Sequence, residues 1–374
     1  MLLAILGILF SMIIIWRACD GFEAASNYLG RNLSDGVKGA TINAIGSSLP
    51  ELLTALIGLL FLSDIEGFAF GVGATAGSAV FNSAVIPGLV ILMVYLFYKK
   101  EVTVSRKVIL RDGIALIFAE FVLIFLLSKS EVSWTDGVAL ISIYLMYIGG
   151  TIKSMETEPL AENEPEMISA GSSNRLISLI TLDLEASLVA GKRYTTKNAL
   201  ALLGVSTFVI GIACYILVES CVAFSVELGI ASYFVAVILA AAATSVPDTI
   251  LSLKDAKNGN YDDAVANALG SNIFDICVAL GLPLFLYSII SGNSISLSTS
   301  DESSITELRV LLLGLTVLIT ILLLLKEKVS KYSGIAMLFL YGFFASYVLG
   351  TAYKITWAIS FSDYLHSFYS LLMK

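Results

Sequence analysis

Two acidic residues each follow a proline inside a long apolar stretch of the sequence. The first stretch reads Gly46-Ser47-Ser48-Leu49-Pro50-Glu51, and the second reads Ala243-Thr244-Ser245-Val246-Pro247-Asp248. A carboxylate at membrane depth is costly, and such residues usually mark the path of a substrate or an ion. Two copies in matching surroundings therefore predict a duplicated transporter with an acidic cation site at its centre.

Each proline also disturbs the helix that precedes it. A proline lacks the N–H that would bond to the carbonyl four residues earlier, and its ring clashes with that carbonyl. The carbonyls of Gly46 and Ala243 are therefore predicted to be free. Polar main-chain groups at membrane depth need a partner or a wet cavity, and a bound cation is a suitable partner.

A second pair of matching segments adds more oxygen atoms. Gly77-Ser78-Ala-Val-Phe-Asn82 matches Gly270-Ser271-Asn-Ile-Phe-Asp275. The polar residues of each segment are four apart, so each pair shares one face of a helix. The predicted cation ligands are the side chains of Glu51, Asp248, Asp275, Asn82, Ser47, Ser48, Ser78, Thr244, Ser245 and Ser271, with the carbonyls of Gly46 and Ala243.

These ligands are hard oxygen atoms, which suit calcium or sodium rather than zinc or copper. Glu51 and Asp248 together balance one divalent ion. An ionised Asp275 would require a further monovalent cation, whereas a protonated Asp275 would not. For each serine taken singly, a bond back to a helix carbonyl is an equally good reading.

Composition indicates the class of protein that holds these residues. Of the 374 residues, 57% are hydrophobic and only 14% are charged, which is typical of a polytopic helical membrane protein. We predict an all-α fold whose ten transmembrane helices form two inverted five-helix repeats. The predicted spans are 2–26, 33–62, 68–98, 107–128, 134–151, 198–226, 230–256, 261–290, 308–325 and 332–353.

The loops between these spans alternate in charge. Lys and Arg follow the odd-numbered spans, whereas the other loops are nearly free of basic residues, so both termini are expected outside the cytoplasm. Five spans per half make the second half enter from the opposite side, which inverts the repeats. The expected division is a first repeat over 1–151, a cytoplasmic linker over 152–197 and a second repeat over 198–374.

Other features add fewer constraints. The linker contains a Glu-rich patch over 156–166 and a predicted short interfacial helix over 176–188. The four cysteines are expected to be free buried thiols, and Asp20 and Glu23 are candidates for an access path. The expected partners are inorganic cations and the lipid bilayer, with no cofactor, no nucleic acid and no obligatory protein partner. The expected location is the plasma membrane.

The two pairs of motifs resemble the alpha-repeats of the calcium/cation antiporter superfamily. The resemblance is strong over 41–90 and 231–285 and covers the ten-span layout over the whole chain. Glu in the first repeat and Asp in the second, with Asn82 and Asp275, are most similar to the potassium-dependent sodium/calcium exchangers. In that branch the residue matching Asp275 is implicated in potassium coupling, although relatives without potassium dependence also carry Asp there.

The resemblance implies a secondary antiporter, and not an enzyme, that exchanges Na⁺ for Ca²⁺ by alternating access, with or without K⁺ co-transport. One alternative is an exchanger of the same fold that couples calcium or another divalent cation to protons. Another alternative is a cation channel. An intramembrane hydrolase is disfavoured, because Asp262 has no partner motif and His366 is the only histidine.

Overall fold

The computed structural model describes residues 1–31, 44–62, 64–155, 178, 180–189, 193–297, 302–325 and 328–372. Its helices are α1 (Leu2–Leu29), α2 (Ala44–Ser47), α3 (Leu49–Phe61), α4 (Asp64–Val80), α5 (Ile86–Met93), α6 (Arg106–Leu126), α7 (Trp134–Met155), α8 (Leu184–Leu188), α9 (Thr196–Leu228), α10 (Ser232–Val235), α11 (Ala241–Thr244), α12 (Val246–Asn258), α13 (Tyr261–Phe274), α14 (Gly281–Ser291), α15 (Glu302–Leu324), α16 (Lys331–Ala352) and α17 (Thr356–Leu372).

Four short π-helical turns and four two-residue strands complete the described elements. The π turns are Phe81–Val85, Val94–Tyr98, Ala236–Ala240 and Asp275–Ala279. The strands are β1 (Val102–Thr103), β2 (Glu131–Val132), β3 (Ile295–Ser296) and β4 (Lys328–Val329). The protein is therefore helical apart from two small antiparallel pairs, β1 with β4 and β2 with β3.

Long apolar helices dominate the described part of the chain. Seven are long and apolar enough to cross a membrane, and an eighth is added if the bent pair α10–α12 counts as one span. The polytopic membrane class predicted from composition is thus confirmed. Large apolar side chains on the outer surfaces of these helices, such as Phe208 and Phe339, are exposed, as expected for contact with lipid.

Two of the ten predicted spans are not among these eight. The helix α6 forms where the span 107–128 is predicted, but it carries five charged residues, which lower its apolar character. One of them, Asp112, is fully buried, pairs with Arg111 at 2.6 Å and accepts a bond from Tyr147. The predicted span 33–62 is described only from residue 44, as the short α2 and α3.

The two strand pairs connect the ends of the helices α6 and α15. The strand β1 precedes α6 and pairs with β4, which follows α15; β2 follows α6 and pairs with β3, which precedes α15. The two helices therefore run antiparallel and are joined by main-chain bonds at both ends. This pairing of distant loops leaves no pattern in a two-residue strand, so the sequence did not indicate it.

The helix α17 was not predicted from the sequence. It follows α16 after a tight turn in which Lys354 has φ of 54°. Its serines and aromatic residues form no continuous apolar run, so hydropathy alone does not find it. In the linker, α8 falls within the predicted interfacial helix 176–188, and Asp183 caps it by accepting a bond from the Ala186 N–H. The Glu-rich patch over 156–166 lies outside the described residues.

Candidate cation site

Both prolines stand just after a break in a helix. The helix α2 ends at Ser47 and α3 begins at Leu49; α11 ends at Thr244 and α12 begins at Val246. Ser48 and Ser245, the residues between, have ψ near zero and leave the regular helical conformation. The second break bends the chain by 41°. Each proline then occupies the start of the new helix, where its missing N–H costs nothing.

The breaks place Glu51 and Asp248 in the first turns of α3 and α12. The free N–H groups and the helix dipole favour negative charge at this position. Both side chains are fully buried. The sequence thus produces two half-helices whose N-terminal ends carry carboxylates toward the interior of the bundle.

Ser78, near the end of α4, joins residues from both halves of the chain. Its Oγ lies 3.3 Å from Glu51 Oε1, 2.9 Å from Asp275 Oδ2 and 2.9 Å from Ser245 Oγ. A hydroxyl has a single proton and can donate to only one of these oxygens at a time. Because Ser245 Oγ can itself donate to Ser78 Oγ, it is one Ser78–carboxylate pair that is left without this proton and needs a further proton or cation between its oxygens.

Asn82, in the π turn Phe81–Val85, makes the second connection between the halves. Its Nδ2 donates to Asp248 Oδ2 at 3.2 Å and lies 3.3 Å from both Ser78 Oγ and Ser271 Oγ. All four residues are fully buried. Seven of the predicted site side chains therefore form one connected cluster of oxygen-bearing groups: Glu51, Ser78, Asn82, Ser245, Asp248, Ser271 and Asp275.

Several oxygen atoms of this cluster have no hydrogen-bond partner among the described residues. They are Glu51 Oε2, Asp248 Oδ1, Asp275 Oδ1 and Asn82 Oδ1. None of the ion pairs between described residues involves the three carboxylates. Buried oxygens left without donors carry a desolvation cost that a bound cation would remove.

The described residues contain no group of three or more His, Cys, Asp or Glu side chains arranged to hold a metal ion. The acidic groups are instead interleaved with hydroxyls and an amide. Oxygen sets of this mixed kind suit hard cations that bind and leave, more than a permanently held transition metal.

The remaining predicted ligands lie at the edge of the cluster. Thr244 donates back to the carbonyls of Ala240 and Ala241, at 3.1 and 3.2 Å. A bond of this kind is the alternative to ion binding for a hydroxyl in a helix. Ser47 lies beside the Asp248 carboxylate and Ser48 beside that of Asp275. Gly46 and Ala243 are buried at the two breaks, four residues before the prolines.

Two asparagines beside the cluster were missed by the sequence analysis. Asn272 is fully buried and donates to the carbonyl of Ala79 at 3.0 Å and to Ser83 Oγ at 2.7 Å. Asn267 donates to the carbonyl of Asp248 at 3.3 Å. Alignment of the two motif copies places Asn272 opposite Ala79, so a polar residue in only one copy was the available signal.

A cleft lies between the predicted access residues and the two helix breaks. It is lined by Asp20 and Glu23 of α1 and, at the site, by Ser47 and Pro247. Lys254 Nζ stands 3.4 Å from Asp20 Oδ1 at the mouth of the cleft. The structure therefore places both predicted access carboxylates in one cleft, whose inner wall is formed by Ser47, beside Asp248.

A further carboxylate is buried away from the cluster. Glu120 of α6 is 1% exposed and accepts a bond from Thr316 Oγ1 of α15 at 2.7 Å. It contacts no residue of the cation-site cluster through any described hydrogen bond. Glu120 therefore offers a matched comparison for charge removal at the cluster.

The fold and the cluster together define a polytopic membrane protein with an acidic centre built from both halves of its chain. A family model described as sodium/calcium exchanger protein matches residues 3–153 and 198–350. The chain belongs to this family, within the calcium/cation antiporter superfamily, and members of the family are exchangers rather than enzymes.

Individual relatives agree with this assignment. An uncharacterised membrane protein of Methanocaldococcus jannaschii is 29% identical over 285 residues, which is 75% of this chain and 81% of that protein. The sodium/potassium/calcium exchanger 1 of Gallus gallus is 39% identical over 114 residues, 30% of this chain and only 17% of that exchanger. The crystal structure of an H⁺/Ca²⁺ exchanger, CAX, has a TM-score of 0.67 at 16% identity, covering 98% of this chain and 92% of that chain, and shows the shared fold.

Proposed function

We propose that the protein is an antiporter that moves calcium across a membrane in exchange for sodium, with K⁺ co-transport as an additional coupling. The observation that carries this proposal is the cluster of buried oxygens joined across the two motif copies, with four oxygens left without donors. Calcium and sodium both prefer such oxygens and would compete for them. Competition for one set of ligands is what couples the two fluxes in opposite directions.

We further propose ten spans in two inverted repeats. The eight apolar spans become ten when α6 and the α2–α3 segment are included. The antiparallel contact of α6 with α15, the fourth spans of the two halves, supports inversion. The segments matched by the family model flank the linker and support repeats over 1–151 and 198–374. Both termini would then lie outside, with the basic loops and the linker in the cytoplasm, at the plasma membrane.

The cation site of this proposal comprises all the predicted ligands. Glu51 and Asp248 supply the charge for calcium, and Ser78 and Asn82 hold the two carboxylates in one cluster. Movement of α1 and α9, which are packed along each other, against the other spans would alternate access. The cleft beside Asp20 would serve the cytoplasmic side.

Calcium flux into proteoliposomes tests the proposal. With sodium, potassium and pH gradients imposed one at a time, calcium uptake should follow an outward sodium gradient. Uptake that ignores sodium and follows pH would replace this function by calcium/proton exchange, which the shared fold of CAX accommodates. A calcium current without any counter-ion would indicate a channel instead.

Replacement of Asp275 by asparagine tests the potassium coupling. Two carboxylates balance one calcium ion, so the third charge is expected to require a monovalent cation. Asp275→Asn removes that charge at constant size and should make calcium exchange independent of potassium. The measurement is calcium flux as a function of potassium, with Glu120→Gln as the control, which should keep the wild-type dependence. If the wild-type flux does not depend on potassium, Asp275 is not a potassium ligand.

A further inference from the structure

The C-terminal helix α17 has three distinct faces. Ala358, Ser362 and Leu365 are buried and, at spacings of four and three residues, form the face that contacts α15 and α16. Trp357, Tyr364, Phe368 and Leu371 are exposed apolar residues on a second face. Ser360, Asp363, Ser367 and Ser370 are exposed polar residues on a third. A helix with neighbouring apolar and polar outer faces is typical of the boundary between lipid and water.

The buried face is fixed by a carboxyl group. Ser362 Oγ donates to Glu307 Oε2 of α15, and Tyr347 OH of α16 lies 3.4 Å from the same oxygen. Glu307 is only 5% exposed. Gly350 of α16 allows the close approach, because a Cβ there would lie 2.7 Å from that of Ala358. The Ser362–Glu307 hydrogen bond and the close packing of Ala358 on Gly350 thus both attach α17 to the bundle.

The aromatic face continues the lipid-facing surface of α16. Phe339 of α16 is 75% exposed, and Phe343, one turn further, lies 6.4 Å from the Trp357 ring. Since α16 is a membrane-spanning helix by length and composition, its exposed apolar row faces lipid. This exposed row continues from Phe343 to Trp357 of α17. Trp and Tyr are enriched in the headgroup region of membranes. The polar third face along the length of α17 favours the boundary between lipid and water over a spanning orientation.

The Glu307 carboxyl is close to the bent helix pair α10–α12, which contains Asp248. Tyr233 is the second residue of α10, which contacts α16, and it lies within electrostatic range of Arg309, Tyr347 and Glu307. The helix α10 belongs to the bent pair that contains Asp248. On its other side Tyr233 contacts α4, where a Cβ at Gly73 would lie 2.9 Å from its carbonyl oxygen. Both helices that meet at Tyr233 continue to the cation-site cluster.

We propose that α17 is an interfacial helix whose aromatic face inserts into the headgroup region of the phospholipid leaflet where α16 ends. This lipid contact holds Ser362 on Glu307 and thereby stabilises the contact of Tyr233, at the start of α10, with Gly73 of α4. Lipid at this surface is a functional partner of the exchanger.

The position of α17 is tested by tryptophan fluorescence, which does not depend on the proposed exchange activity. Trp16→Phe and Trp134→Phe leave Trp357 as the sole tryptophan. In phosphatidylcholine vesicles brominated at different acyl positions, quenching should be greatest for bromines nearest the headgroup. Quenching by aqueous iodide alone would place α17 in water, and strongest quenching by bromines near the chain ends would make it a span. Either result overturns the proposal.

The functional link is tested by calcium uptake and rests on the proposed exchange. Ser362→Ala and the double change Tyr364→Ser with Phe368→Ser should each lower uptake several-fold. The three changes together should lower it no further, because they break one connection at two points. Ser370→Ala on the polar face is the control and should leave uptake unchanged. Additive losses, or wild-type uptake in these variants, would contradict the link even if the fluorescence result holds.

Discussion

Replacing Glu51 by glutamine, or Asp248 by asparagine, is expected to abolish calcium exchange while leaving the protein folded. Each substitution keeps the size of the side chain and removes one of the two charges that balance calcium. A bond to a charged group is worth about 2–3 kcal/mol, so calcium affinity should fall roughly 30- to 150-fold for each lost charge. The measurement is sodium-driven calcium uptake into proteoliposomes.

The stability of these variants separates a lost site from a lost fold. Glu51 Oε2 and Asp248 Oδ1 are buried without donors among the described residues, so removing the charge should leave the ion-free protein at least as stable as the wild type. Thermal unfolding in detergent without calcium measures this. Glu120→Gln removes an equally buried carboxylate outside the cluster and should retain exchange. Retained exchange in both Glu51→Gln and Asp248→Asn would remove the central site from the proposal.

Alanine at Gly77 is expected to disrupt the protein more severely than alanine at any other described glycine. A Cβ at Gly77 would lie 2.0 Å from the carbonyl oxygen of Val237 and 2.8 Å from the Cβ of Ala241. Because the first neighbour is main chain, it cannot rotate away, and α4 must separate from the π turn Ala236–Ala240. Overpacking of this kind costs about 3 kcal/mol or more. Ser78, the next residue, would move with α4.

The measurement for Gly77→Ala is the yield of monodisperse protein in detergent, followed by calcium uptake of the purified fraction. Both should fall sharply. Gly211→Ala is the matched control, since a Cβ at Gly211 of α9 meets nothing within 4 Å. Alanine there should be neutral or slightly stabilising, because it favours the helix. Wild-type yield and uptake for Gly77→Ala would show that the two helices are not in close contact.

The sequence predicted the centre of the molecule better than its edges. Glu51, Ser78 and Asp275 lie far apart in the chain, yet two motif copies and an odd number of spans per half were enough to predict that they share one site. The structure joins them through Ser78. The prolines likewise located both helix breaks, because the loss of an N–H has a local and obligatory effect.

Features that depend on contacts between distant segments could not be predicted. Thr244 and Ser78 have the same chemistry, but only the surroundings decide that Thr244 Oγ1 bonds to carbonyls of its own helix while Ser78 Oγ lies between two carboxylates. Asn272 binds the main chain of the other repeat, which its neighbours in sequence do not reveal. The helix α17 was missed because three narrow faces, each suited to a different environment, average to an unremarkable hydropathy.

The paired strands β1–β4 and β2–β3 give the two halves of the chain a connection independent of the linker. They fix α6 against α15 at both ends, so these helices are expected to move as one unit in the proposed alternation of access. The described part of the linker, α8, packs against α1 and α9 and adds a second contact between the halves. Because the strand pairs do not depend on the covalent connection, a chain cut between 156 and 177 is expected to stay assembled through α6 and α15.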